Sequence, residues 1–190
     1  MDEIADTIEA FPGVLEMLLG PIDTKVLRTR PADGEWCPLE VIGHLIVCDG
    51  PAFRDRIGLI VSGADAVPGF DPSLDSTGRD FQSADLSDLI AELRMQRDLS
   101  AGFLRALDPV DLRRTSTLGS HGSFAAGDFV HEWAFHDQDH LQQILDAVKV
   151  TYLPYMSETM RHALVGAAPE AEEHEPSFES LPLVSQQRVS

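Results

Sequence analysis

The sequence predicts an all-α protein built as a four-helix bundle, with a shorter C-terminal helix and a polar tail. Three observations carry this reading. Four segments of about 20 residues repeat apolar side chains at helical intervals, the pattern of amphipathic helices that share a core. No segment alternates apolar and polar residues for long, so no extended strand is expected. Between the periodic segments lie stretches rich in Gly, Pro, Asp and Ser, the residues that punctuate helices.

Residues 2–19 carry Ile4, Ile8, Phe11, Leu15 and Leu18 near a 3.6-residue period. Pro12 and Gly13 interrupt them and predict a kink or a short first piece. Residues 20–37 hold two prolines, Pro21 and Pro31, and read as a connection that includes Trp36. Pro38 suits the first turn of a second helix over 38–61, whose stripe runs through Val41, His44, Leu45, Cys48, Ala52 and Ile60. Pro51 should bend it. After a long loop at 62–83, Ser83 or Asp85 can cap a third helix over 85–107, with Leu86, Leu89, Ile90, Leu93, Leu99, Phe103 and Leu104. Residues 108–124 form another loop, and a fourth helix covers 126–148. A shorter fifth helix is expected over 153–165. One bundle domain then spans 1–168, and an acidic, flexible tail covers 169–190.

The chain has 32 acidic and 14 basic residues, a net charge of −18. That balance opposes binding to nucleic acid or anionic membrane. No apolar run approaches a membrane span, and the acidic start is unlike a signal peptide. Cys37 and Cys48 are too few for a disulfide framework. A cytoplasmic protein is expected.

The fourth helix carries the most informative spacing. His136 and His140 are four residues apart, so both imidazoles project from one face. Phe129, Trp133, His136, His140 and Ile144 share a stripe that is otherwise apolar and must turn toward the core. Core histidines hydrogen-bonded to backbone or carboxylates are one reading, and a metal pair is the other. His44 lies on the inward stripe of the second helix, between Val41 and Leu45. Three inward imidazoles on two helices favour a metal centre with an open position for water or substrate. Cys48, one turn after His44, could close that centre as a fourth ligand or pack as a small core residue. Asp49 and Asp137 are candidate acceptors for ligand imidazoles, although Asp137 projects about 100° from His136 and could serve the helix surface. Gln143 could line the pocket or be solvated. His131 and His121 read as exposed. Arg54, Arg56 and Arg79 are candidates for holding an anionic cosubstrate, with exposed surface arginines as the default. Imidazole suits zinc, nickel, copper and iron alike.

Several familiar signatures are missing. His131-Glu132 lacks the second histidine of a zinc protease, and there is no G-x-S-x-G, Walker A loop or dinucleotide fingerprint. The Glu-x-x-His pairs of a di-iron bundle are also absent. The ordered set Gly34-Glu-Trp36, Pro38, Glu-Val-Ile-Gly-His44-Leu and His136-Asp-Gln-Asp-His140-Leu-Gln-Gln-Ile144 resembles the DinB-like superfamily. Gly69-Phe-Asp71 and Leu153-Pro-Tyr-Met156 match as well, and the resemblance covers about residues 4–165. It implies a bundle with up-down-down-up connectivity and a divalent metal, zinc or nickel, on His44, His136 and His140. It further implies a small-molecule substrate, a low-molecular-weight thiol cosubstrate, thiol S-transferase or isomerase chemistry, and a homodimer. The resemblance names no catalytic residue beyond the ligands, and a non-catalytic metal-binding or interaction protein on the same scaffold is the alternative.

Overall fold

Four long helical runs form the bundle: α1 (Asp2–Leu19), α3–α4 (Pro38–Cys48 and Asp55–Val61), α5 (Leu86–Arg105) and α6 (Ala126–Val150). A one-turn helix α2 (Thr24–Leu27) sits in the first connection, and α7 (Glu158–Val165) follows the bundle. The computed structural model describes residues 1–71 and 78–165. The expected domain boundary at 168 and the tail 169–190 lie outside the described residues.

The helix directions follow from which ends meet. One core cluster joins Ala5 and Ile8 at the start of α1 to Ile57 and Ile60 at the end of α4. It also takes in Ala101 and Leu104 at the end of α5 and Ala126 and Phe129 at the start of α6. The other joins Leu15 and Leu19 to Leu39 and Val41, Leu89 and Ile90, and Ile144 and Val148. The connectivity is therefore up-down-down-up, and α3–α4 runs parallel to α5. Such a pair needs a long crossover, which residues 62–85 supply.

Local chemistry explains most boundaries. Pro38 opens α3, where the Glu40 carboxylate accepts from the Cys37 backbone N–H at 2.9 Å and closes the first turn. Arg30 holds Glu40 in place. At α6 the Asp128 carboxylate does the same for the Ala125 N–H at 2.8 Å. Asp85 occupies the N-cap position of α5, but its side chain makes no cap bond and reaches toward Arg28 instead.

Several expectations are corrected. Pro12 does not break α1, which runs unbroken to Leu19 with Phe11 and Pro12 buried against the core. Tertiary packing outweighs the lost hydrogen bond there. Leu19, not the more exposed Leu18, completes that stripe, and Leu99 on α5 faces solvent. The second helix is not uniform: its bend at Pro51 is realised as a π-helix, Asp49–Arg54, which accommodates the missing proline N–H by widening the turn. The predicted loops contain a small sheet: β1 (Ala66–Val67) pairs in parallel with β2 (Thr115–Leu118), which pairs antiparallel with β3 (Ser123–Ala125). Strands of two to four residues are too short for alternation to register. The expected fifth helix is a 3₁₀ turn at Leu153–Tyr155 followed by α7.

Gly43 marks the tightest approach near His44. A Cβ there would run into the buried Phe81 ring, over which the Arg79 guanidinium lies 4.5 Å from the centroid. Gly43→Ala should therefore cost about 1–3 kcal/mol by overpacking, although alanine is the better helix former. A urea midpoint equal to or above wild type would contradict this.

Candidate metal centre

His44 on α3 and His136 and His140 on α6 meet at one point between the two helices. The Nε2 atoms of His44 and His136 are 3.2 Å apart, and those of His136 and His140 are 3.1 Å apart. Their ring centroids lie 4.3 to 5.3 Å from one another. The four-residue spacing accounts for the pair on α6, and the inward stripe of α3 accounts for His44. The structure brings together all three histidines selected from the sequence.

Hydrogen bonding alone does not explain this arrangement. A neutral imidazole nitrogen either donates one hydrogen or offers one lone pair. His136 Nε2 faces two like nitrogens and can satisfy only one of them. A tetrahedral metal with ligand bonds of 2.0–2.1 Å requires nitrogens about 3.3 Å apart, close to the observed separations. His136 is also held neutral, as a ligand must be. Burial foremost, then the neighbouring His140 and His44, pulls its pKa down from 6.5 to about 3. The donor set thus fits a divalent metal.

Neighbouring groups orient the rings. The Gln143 amide oxygen lies 2.7 Å from His140 Nδ1 and accepts a hydrogen bond from its N–H, which leaves the Nε2 lone pair for the side of His136. Trp36 packs against His44 at 4.9 Å, and Phe53 from the π-helix sets its edge on His136 at 5.1 Å. His136 Nδ1 is buried without a hydrogen-bond partner. Gln143→Leu should weaken metal binding by about 10–100-fold, with the fold intact. Competition against a chromophoric chelator would measure this, and unchanged affinity would contradict it.

Cys48 is buried beside the centre, and its Sγ is within 4.8 Å of ligand atoms of His44 and His136. It lies 3.7 Å from His44 Nδ1 and 3.5 Å from Nε2. A sulfur almost equidistant from both ring nitrogens sits alongside the ring, off the Nε2 lone-pair axis. Burial, reinforced by Asp49, pushes the thiol up to about 12 in the metal-free protein, while its place beside His44 and His136 makes it one of a group that could hold a metal ion.

Asp49 and Asp137 do not orient imidazoles, and Asp137 does not serve the helix surface. Both are fully buried and turn to Arg97 on α5. Arg97 escaped the sequence reading, although it sits on the α5 stripe between Leu93 and Leu104. The three arginines considered for an anionic cosubstrate are engaged elsewhere. Arg54 donates to Ser100, Arg56 to the Pro68 and Ala52 carbonyls, and Arg79 to both oxygens of Glu92. His131 and His121 are exposed, as expected.

A cavity of about 660 Å³ opens beside the histidines. Trp36 and Gln143, which touch His44 and His140, belong to its wall. Glu35, Asp139 and Asp146 also line it, and among the described residues no lysine or arginine does.

The depressed His136 pKa has a consequence for the metal-free protein. The folded state keeps this imidazole neutral while an unfolded chain protonates it near 6.5. Its contribution to stability is present above 6.5 and is lost as pH falls toward 3. The stability difference between wild type and His136→Gln should change in that direction across this window. A pH-independent difference in urea titrations would contradict the assignment.

An up-down-down-up helical bundle with three converging histidines beside an open cavity defines the class of protein. The family model described as the DinB superfamily matches residues 7–144, and the chain belongs to that superfamily. YfiT from Bacillus subtilis, a solved structure described as a probable metal-dependent hydrolase with an unusual four-helix bundle topology, superposes with a TM-score of 0.69. The two are 20% identical over 79% of this chain and 86% of that one, a likeness of fold. No curated protein matches the chain. None of its described helices is long and apolar enough to cross a membrane.

Proposed function

We propose that this protein binds a divalent metal, zinc or nickel, through His44, His136 and His140, and works as a thiol S-transferase or isomerase with a low-molecular-weight thiol. The observation that carries the reading is the convergence of three imidazole nitrogens beside a solvent-open cavity. Membership of the superfamily supports it. A metal held there would lower the pKa of a bound thiol or water and supply a nucleophile at neutral pH.

The chain's own residues would do the rest. Gln143 keeps the His140 proton on Nδ1, and Trp36 and Phe53 pack the rings of His44 and His136 into place. A small molecule in the cavity would meet Trp36 and Gln143, the two wall residues that touch the histidines. Among the described residues its wall offers carboxylates, carboxamides and an indole but no lysine or arginine, so a neutral or amine-bearing thiol suits it better than a carboxylate-rich one.

The test is metal analysis of purified protein, followed by thiol-conjugation rates with and without the metal. One equivalent of metal and a rate that depends on it are expected, with neutral and amine-bearing thiols preferred to anionic ones. Conjugation that persists after complete metal removal would overturn the reading.

A further inference from the structure

His136 and His140 keep their mutual spacing because one helix carries both. The distance from His44 depends on how α3 sits against α6, and no covalent link sets it. A metal centre tolerates only about 0.5 Å of error in such a distance. The structure contains a device at that junction.

Arg97 is 1% exposed, while Asp49 and Asp137 are at 0%. Its two terminal nitrogens donate to the two oxygens of Asp137, each at 2.7 Å, and its Nε lies 2.9 Å from Asp49 Oδ1, an ion-pair contact without hydrogen-bond geometry. Asp137 immediately follows His136 on α6. Asp49 begins the π-helix directly after Cys48, one residue beyond the turn that starts at His44. One guanidinium on α5 is therefore hydrogen-bonded to α6 and ion-paired to the π-helix that continues α3, the two runs that carry the histidines. Ser100 donates to the other oxygen of Asp49 at 2.6 Å, and Arg54 donates to Ser100 at 3.1 Å, so the free edge of the cluster is also tied down.

Stability does not explain such a cluster. Burying three charges costs several kcal/mol per ion before attraction is counted, and apolar replacements of similar volume are often as stable or more so. What a bidentate guanidinium adds is direction, because its donors lie in one rigid plane.

We propose that Arg97 is a positioning residue for the histidine centre: by clamping Asp49 and Asp137 it sets the distance of His44 from His136 and His140. This rests on the metal reading above. Arg97 does not line the cavity, and beyond its electrostatic effect on His136 it acts through the backbone that its partners hold.

The test compares cobalt binding by the full chain and three variants, read by titration and by the visible ligand-field band. Asp49→Leu/Arg97→Met/Asp137→Leu removes the cluster without leaving an unpaired charge. Arg97→Lys keeps the charge and loses the fork. Leu15→Ala truncates the core on α1, which carries no ligand. The triple variant should match or exceed wild-type thermal stability yet bind cobalt at least about tenfold more weakly, with a shifted band. Leu15→Ala should be less stable and keep the wild-type affinity and band. Should the triple variant not fold, Arg97→Lys decides by the same band. Wild-type affinity and band in the clamp variants would overturn the proposal, as would an equal loss in Leu15→Ala. A wild-type chain that takes up no cobalt would instead overturn the metal reading and this proposal with it.

Discussion

Arg97→Met alone is expected to destabilise the fold by about 3–5 kcal/mol, the cost of breaking a buried ion pair from one side. Methionine fills much of the space but leaves the Asp49 and Asp137 carboxylates buried without the cation that spans them. Arg54, 3.7 Å from Asp49, compensates only in part. A domain of this kind is stable by about 5–15 kcal/mol in total, so the loss approaches a substantial fraction of it. The deficit should shrink at low pH. Burial already raises Asp137 to about 6 against the pull of Arg97, and without that pull it rises further. A carboxyl whose folded pKa exceeds its unfolded value gains stability as pH falls through the folded value. Urea unfolding at pH 7 and pH 5 would check both statements. A loss below about 1 kcal/mol at pH 7 would show that the cluster holds no charge worth neutralising.

His136→Ala should abolish tight metal binding. His136 is the central nitrogen of the three, 3.2 Å from His44 and 3.1 Å from His140, and its loss leaves two imidazoles with no shared neighbour. Removing groups that merely orient ligands costs about 10–100-fold in affinity, so removing the central ligand should cost more than about a hundredfold. The same substitution relieves a crowded, desolvated imidazole, so the metal-free variant should lose little stability at acidic pH, where wild type must resist protonation. His131→Ala, on the exposed side of α6, should leave metal content unchanged. Equilibrium dialysis followed by elemental analysis distinguishes the three proteins. Wild-type metal content in His136→Ala would place the metal elsewhere.

Much of the centre was legible because its information is local. Helical periodicity depends on residues within a turn or two of one another, and it placed His136 and His140 on one face and His44 on an inward stripe. The same periodicity held the signal for Arg97. It follows Leu93 by four residues and precedes Ser100 and Leu104 at helical intervals, and Asp137 follows Trp133 by four. Charged residues at core positions of a predicted helix are evidence of a buried network. Reading Asp137 from its neighbour His136 alone hid this, because an adjacent residue on a helix points elsewhere without pointing outward.

The fate of the two prolines needed the fold. Pro12 and Pro51 impose the same loss of a backbone N–H, yet α1 continues and the second helix widens into a π-helix. Packing along α1 holds one against its intrinsic preference. The other stands where Asp49 is drawn to Arg97 and Phe53 to Trp133, their rings stacked at 5.0 Å. The short sheet also depends on distant partners, since β1 and β2 lie about fifty residues apart.

By itself, then, the sequence determined the four helices, their buried faces and the three histidines those faces present, because each follows from neighbours along the chain. Tertiary structure alone decided that His136 Nε2 lies within 3.2 Å of both other imidazoles and that Cys48 lies alongside the His44 ring. It also decided that Asp49 and Asp137 close on Arg97 and that carboxylates line the flanking cavity. Each of these is a distance between helices, set by which side chains pack and pair across the core, and no spacing along a single helix contains it.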